Sequence, residues 1–262
     1  MTALPAALPW YRPVGQELLL FEHAWRNKLP LMLKGPTGCG KSRLVEHMAA
    51  KLGRPLVTVA CHDETSAVDL IGRYLVQGGD TVWQDGPMTR AVREGAILYL
   101  DEIAEARPDV VVVIHPLTDH RRRLVVERRD EVIDAPDPFM LVVSWNPGYQ
   151  RGIKELKPST RQRFVGLSLG YPEAEVEIEV LRGETGAAIP DAKRLVALAG
   201  KMRAVENLGL TEPPSTRLLV HAARLLGAGM PPRLACRAAI VEPVTDDPEI
   251  RSALMDVVSL VF

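Results

Sequence analysis

Eight consecutive residues carry the most chemically specific pattern in this chain: Gly35-Pro36-Thr37-Gly38-Cys39-Gly40-Lys41-Ser42. The apolar run Leu31, Met32, Leu33 precedes them, and Leu44, Val45, Met48 and Leu52 follow at helical spacing. The pattern predicts a strand, a phosphate-binding loop and a helix. Glycines at 35, 38 and 40 let the backbone turn its N–H groups inward on an anion, and the helix N-terminus adds partial positive charge. In such a loop Lys41 reaches the β- and γ-phosphates of ATP while Ser42 offers its hydroxyl to Mg2+. A flexible surface loop would have no need of Gly, Lys and Ser at these offsets between a buried strand and a helix.

A second cluster of chemistry lies at the end of the apolar strand expected over 97–100, where Asp101 and Glu102 follow directly. Alone, an Asp-Glu pair after a strand reads as a helix cap. Beside a phosphate loop it predicts a first acid that holds Mg2+, usually through water, and a second that polarises the attacking water. Asn146 stands at the C-terminal end of another apolar run, 139–145, where ligand sites of parallel sheets collect, and it could orient that water. Arg161 and Arg163 precede the last expected strand, and one of them could be an arginine finger. Arg217, near the start of a later helix, could face the nucleotide.

Positioning these groups requires an α/β core. A helix is expected over 16–26, then strands at 31–33, 55–60, 97–100, 139–145 and 164–169, which makes a five-stranded set of βα units. The β-branched 55–60 segment reads as buried on both faces. Asp63 and Thr65 read as caps of a short helix ending at Ile71. Residues 73–83 read as a hairpin around Gly78-Gly79-Asp80, inserted before a helix over 88–94. A helix is expected over 108–119, and a basic hairpin over 121–133. Its five arginines could meet phosphate, but a solvated hairpin paired with Glu127, Asp130 and Glu131 is favoured, because no aromatic residue is interleaved for base stacking. From Tyr171-Pro172 onward the pattern is helical, over 173–182, 192–207, 216–226, 231–241 and 248–260. The division expected is 1–170 for a nucleotide-binding domain and 171–262 for a helical lid.

The 262 residues are 47% hydrophobic, enough for a sizeable core, and 32 basic against 33 acidic residues leave a formal charge of −1. No global field then draws the chain to nucleic acid or to a membrane surface. Cys39, Cys61 and Cys236 lie far apart without C-x-x-C spacing, against a zinc site or disulfide framework and in keeping with a reducing cytoplasm. Residues 1–10 have no basic region before their apolar residues, so no signal peptide is expected, and no apolar run approaches a membrane span.

The order of phosphate loop, acidic strand end, polar residue after the next strand, arginines and helical lid resembles the AAA+ ATPases. The strings beginning at Gly35, Asp69-Leu-Ile-Gly-Arg-Tyr, Trp83-Gln-Asp-Gly-Pro-Met-Thr-Arg-Ala, Trp145-Asn-Pro-Gly-Tyr and Leu156-Lys-Pro-Ser-Thr-Arg-Gln-Arg-Phe resemble the CbbQ/NirQ/NorQ group of MoxR-type ATPases, most of all its CbbQ members. That resemblance implies Lys41 and Ser42 in Walker A, Asp101 and Glu102 in Walker B, Asn146 as sensor 1, Arg161 or Arg163 as the finger, and Arg217 as sensor 2. It further implies a hexameric ring that remodels a protein client with a partner bearing a von Willebrand factor A domain, similar to CbbO. CbbQ members release inhibitory sugar phosphates from Rubisco, the favoured reading. NorQ and NirQ members support insertion or activation of nitric oxide reductase. Two other classes remain open at this point: a small-molecule kinase, which also pairs a phosphate loop with a lid, and a nucleic-acid remodeller using the arginine hairpin.

Overall fold

The computed structural model describes residues 8–146, 156–204, 210 and 212–262. Residues 147–149 of the Trp145 string and the last residues of the helix expected over 192–207 lie outside them. From the N-terminus, α1 (Glu17–Arg26) leads to β1 (Leu31–Lys34), the phosphate loop and α2 (Lys41–Lys51), then β2 (Leu56–Ala60) and α3 (Ala67–Ile71). A hairpin, β3 (Gly72–Gln77) and β4 (Asp80–Asp85), precedes α4 (Pro87–Glu94) and β5 (Ile97–Asp101). After α5 (Pro108–Ile114) comes a second hairpin, β6 (Arg123–Val126) and β7 (Glu131–Asp134), then β8 (Met140–Trp145), the one-turn α6 (Pro158–Arg161) and β9 (Val165–Ser168). Helices complete the chain: α7 (Ala174–Thr185), α8 (Ile189–Ala204), α9 (Thr216–Gly227), α10 (Pro232–Cys236), α11 (Glu242–Val244) and α12 (Pro248–Ser259).

Five strands form one parallel sheet in the order β2-β5-β8-β1-β9. The strand period of two divides its central residues between two layers. Met32, Leu98, Leu100, Leu141 and Val143 face the side that carries α3, α4 and α5, whereas Leu31, Leu33, Ile97, Tyr99, Met140 and Val142 face α1 and α2. Each such side chain, fully buried, contributes about 1.5–3 kcal/mol. The order places β5, β8 and β1 in the middle, so that Asp101, Asn146 and the phosphate loop all emerge at their C-terminal ends. A crevice at that edge is where open α/β sheets bind ligands.

Several local expectations are corrected. The 55–60 segment is not buried on both faces: β2 is an edge strand, with Thr58 and Ala60 exposed, because only β5 pairs with it. The cap of α3 is Ser66, not Asp63 or Thr65. Its hydroxyl accepts from Asp69 N while the Asp69 carboxylate accepts from Ser66 N, and Thr65 instead accepts from His62 N. The helix expected over 108–119 ends at Ile114 and tightens into a 3-10 turn, His115–Leu117. The helix expected over 231–241 is α10 followed by a π-helical turn, Arg237–Val241.

In the first hairpin Gly78 and Gly79, both at positive φ, make the two-residue turn and Asp80 belongs to β4. Tyr74 and Trp83 pair across the strands edge to face, 5.1 Å apart. Trp83 packs on the main core, while Val76 (77% exposed), Tyr74 (47%) and Val82 (45%) remain open to solvent. The second hairpin buries Leu124 and Val126 and leaves Val125 and Val132 outside. Three of its five arginines form ion pairs: Arg129 with Glu131, as expected, but Arg121 with Asp119 and Arg123 with Asp134, and among the described residues none reaches Glu127 or Asp130. The two hairpins touch, for Tyr74 OH donates to Arg128 O and the Arg129 guanidinium lies 5.9 Å from the Trp83 ring centre.

The C-terminal helices enclose a separate apolar cluster, including Leu181, Leu195, Leu198, Leu219, Ile240 and Leu254. Among the described residues no helix is long and apolar enough to cross a membrane.

Candidate active site

A cleft of about 620 Å³ opens over the C-terminal ends of β1, β5 and β8, between the phosphate loop, the start of α9 and the segment Trp10–Val14. That is room for a nucleotide. The loop is shaped by close approaches that only glycine permits. At Gly35 a Cβ would lie 2.3 Å from Leu169 O, and at Gly38, with φ +71°, a Cβ would lie 2.7 Å from the Ser215 side chain. Ser215 and Arg217 therefore rest directly on the loop, which is how the helical region reaches the cleft.

Lys41 is 7% exposed, and its ammonium donates to Gly35 O at 2.8 Å, Pro36 O at 2.9 Å and Asn146 Oδ1 at 2.5 Å. Burial lowers its pKa from the ordinary lysine value, opposed by Cys39, Asp101, Glu102 and Glu212. Burial raises the Cys39 thiol, against the influence of Lys41. Thr37 donates to Glu212 Oε1 at 3.3 Å. The Ser42 hydroxyl donates to Asp101 Oδ2 at 3.3 Å, which brings the two expected metal ligands together.

Asp101 is held by two side chains that sequence reading did not single out. Tyr99 OH donates to Asp101 Oδ1 at 2.6 Å, and Ser144 Oγ donates to the same oxygen. Ser144 also accepts from Glu102 N at 2.8 Å. Burial and the bond to Asp101 keep the Tyr99 phenol well above its ordinary pKa, so it remains a donor. Both had a signal: Tyr99 shares a strand face with Asp101, and Ser144 is a polar residue inside a fully buried strand, where its hydroxyl needs a partner. Glu102 itself sits in the left-handed region, φ 55° and ψ 48°, turning its side chain toward Asn146, whose amide donates to Glu102 Oε1 at 3.4 Å. Lys41, Asn146 and Glu102 thus form one chain of contacts across the cleft.

Arg217 lines the cleft, as do Thr37, Gly38, Cys39 and Gly40. Arg161 and Arg163 do not. Arg161 stacks over Trp145 at 5.4 Å, and Arg163 faces Asp119 at 3.7 Å. Trp10 and Tyr11, not singled out in the sequence, form the opposite wall: Tyr11 donates to Glu17 Oε1 at 3.0 Å and its ring lies 5.6 Å from that of His47, while Trp10 packs on Gly183. Aromatics in a proline-punctuated leader were the available signal.

The donor set fits ATP and Mg2+: a cation and inward-turned backbone for phosphate, and a hydroxyl beside a carboxylate for the metal. Comparisons with known proteins agree. Residues 30–164 match the family described as AAA domain (dynein-related subfamily), and residues 177–261 match CbbQ/NirQ/NorQ C-terminal. The denitrification regulatory protein NirQ of Pseudomonas aeruginosa is 57% identical over 97% of this chain and 98% of its own length. Protein NorQ of Paracoccus denitrificans is 57% identical over 97% and 94%, and protein CbbQ of Hydrogenophilus thermoluteolus 52% over 97% and 95%. A solved structure from Cytophaga hutchinsonii superposes with TM-score 0.53 at 16% identity, covering 95% of this chain and 90% of that one, a likeness of fold. The chain therefore belongs to the CbbQ/NirQ/NorQ group of MoxR-type AAA+ ATPases, and hydrolysis of ATP is its activity.

Proposed function

We propose that this chain is the motor subunit of a cytoplasmic hexameric ring that spends ATP on remodelling a protein client, with residues 1–170 binding nucleotide and 171–262 acting as lid. The observation that carries the site assignment is the contact chain Lys41–Asn146–Glu102 lying beside the Ser42–Asp101 pair. The Gly35 and Pro36 carbonyls and the Asn146 amide oxygen accept from the lysine. Substrate phosphate would take their place, and the low exposure of Lys41 makes that exchange favourable, because a desolvated ammonium gains more from an anion than from carbonyls. Backbone N–H groups of 35–42 would hold the phosphates. Ser42 and Asp101 would hold Mg2+, which when bound neutralises charge on the β- and γ-phosphate oxygens.

Glu102 would accept a proton from the attacking water as the water oxygen bonds to the γ-phosphorus. The bond from that phosphorus to the bridging oxygen breaks, and the electron pair leaves with ADP. Asn146, already in contact with Glu102, would orient the water. Arg217 would meet the γ-phosphate from the lid, and Arg161 or Arg163, both turned away from their own cleft, would serve a neighbouring subunit's site. A Glu102→Gln variant is expected to keep ATP binding and lose turnover, whereas Lys41→Ala loses binding. Wild-type turnover in Glu102→Gln would remove that residue from the mechanism.

Relatives of both kinds support a client. The 52% identity to CbbQ supports Rubisco activation, by release of inhibitory sugar phosphates with a CbbO-like von Willebrand factor A partner. The 57% identity to NirQ and NorQ gives equal weight to maturation of nitric oxide reductase. Reconstitution separates them: the ring and its partner, with ATP, are added to inhibitor-bound Rubisco or to unactivated nitric oxide reductase, and the client whose activity recovers is the one served. Three of the five arginines of the second hairpin are paired with carboxylates, which supports a solvated hairpin.

A further inference from the structure

The lid contains an ion pair with a buried carboxylate, set beside its apolar cluster. Glu177 on α7 is 1% exposed, and both its oxygens accept from Arg203 on α8, at 2.8 and 2.9 Å. A buried pair of this kind contributes little more stability than apolar side chains filling the same volume, since desolvation offsets most of the attraction. Its contacts point to a geometric role. Glu177 Oε1 also accepts from Thr216 Oγ1 at 2.6 Å, and Arg203 Nε donates to Pro214 O at 2.9 Å. The pair thus grips both sides of the turn that begins α9, and the next residue is Arg217.

The same guanidinium lies 4.2 Å from the centre of the Tyr171 ring. Tyr171 OH in turn lies 3.4 Å from Thr37 O and 3.5 Å from Pro213 O, with its one hydrogen to donate to either. Ser215, inside the gripped turn, is the residue that a Cβ on Gly38 would strike, and Arg217 Cβ would be 3.2 Å from that atom. Three elements of the lid therefore converge on one turn and press it on the phosphate loop.

We propose that Glu177, Arg203 and Thr216 are positioning residues that set Arg217 at the γ-phosphate, so that the lid distinguishes ATP from ADP. This rests on the reading of Arg217 given above. Because Arg217 would meet only the γ-phosphate, a loosened turn weakens ATP binding and spares ADP binding, whereas a merely structural fault in the lid weakens both.

The test measures the equilibrium affinities of Mg-ATP and Mg-ADP in the Glu102→Gln background, where ATP is not consumed. Thr216→Val removes the hydroxyl that Glu177 holds and keeps the shape; Thr216→Ser keeps the hydroxyl. Thr216→Val is expected to lower ATP affinity about tenfold with ADP affinity unchanged, the scale of a lost hydrogen bond to a charged group, and Thr216→Ser to retain the wild-type ratio. Arg217→Ala lowers the same ratio, and adding Thr216→Val to it changes nothing further, since the hydroxyl acts through the arginine. Glu177→Gln repeats the result where thermal unfolding shows the lid intact; if that variant unfolds, Thr216→Val alone decides. An unchanged ratio in Arg217→Ala would overturn the reading of Arg217 and this proposal together. A lowered ratio there, with Thr216→Val either silent, fully additive, or weakening ADP equally, would overturn the positioning role and leave Arg217 in place.

Discussion

Ser144→Ala is the most informative single perturbation of the acidic strand end. Ser144 is fully buried, and its one hydroxyl both donates to Asp101 and accepts from the Glu102 backbone at 2.8 Å. Glu102 occupies left-handed backbone space at φ 55°, which costs a residue with a Cβ about 1–2 kcal/mol. Leaving its N–H unpaired costs about 1–3 kcal/mol more, unless the backbone relaxes toward an ordinary conformation. Either outcome lowers stability by about 1–3 kcal/mol, and at about 2–4 °C per kcal/mol for chains of this size the melting temperature falls by roughly 2–12 °C. Relaxation would also swing the Glu102 carboxylate away from Asn146. Misplacement by about 1 Å is worth up to about a hundredfold in rate, so ATP turnover is expected to fall about 10- to 100-fold. Thermal unfolding and steady-state phosphate release measure the two effects. A second substitution, Glu102→Gly, should restore about 1 kcal/mol in the Ser144→Ala background without restoring turnover, because glycine adopts φ 55° freely. Wild-type melting and turnover in Ser144→Ala would refute the idea that this hydroxyl holds the acidic pair; recovery with glycine would mean that the strained φ persists in Ser144→Ala, and no recovery that the Glu102 backbone has relaxed.

Three further outcomes are expected. Gly38→Ala, whose Cβ would fall 2.7 Å from Ser215, should push the lid turn off the phosphate loop and weaken ATP binding about tenfold or more, read by fluorescent-nucleotide titration; unchanged affinity would mean that the turn yields freely. Mixing Glu102→Gln subunits with subunits lacking Arg161 or Arg163 should regain activity at mixed interfaces for whichever arginine is the finger, and no recovery with either would exclude a finger in trans. The first hairpin leaves Val76 and Val82 open to solvent, a surface suited to contact with a protein client, so replacing Leu75 and its cross-strand neighbour Val82 by serine should leave rings and basal ATPase intact while client activation in the presence of the partner is lost; full activation would exclude a client contact there, and ring loss would assign the hairpin to assembly.

The loop from Gly35 to Ser42, the acids at 101 and 102 and the succession of strands and helices along the chain were legible in the sequence, because each depends on local spacing: glycines where backbone must turn, apolar runs where strands are covered, charge where a run stops. Lys41, Ser42, Asp101, Glu102, Asn146 and Arg217, each a candidate on its sequence context, all line one cleft. What the sequence could not state was adjacency across the sheet. The order β2-β5-β8-β1-β9 makes 55–60 an edge strand and exposes Thr58, although its composition reads as fully covered. The same order sets Ser144 against Asp101 across 43 positions and Asn146 against Lys41 across 105. Contacts over such separations are decided when layers pack, not by any local preference. The C-terminal helices show this most plainly: Glu177, Arg203 and Thr216 each look like ordinary helix-surface residues in sequence, and only the packing of three helices brings them together and obliges them to satisfy one another.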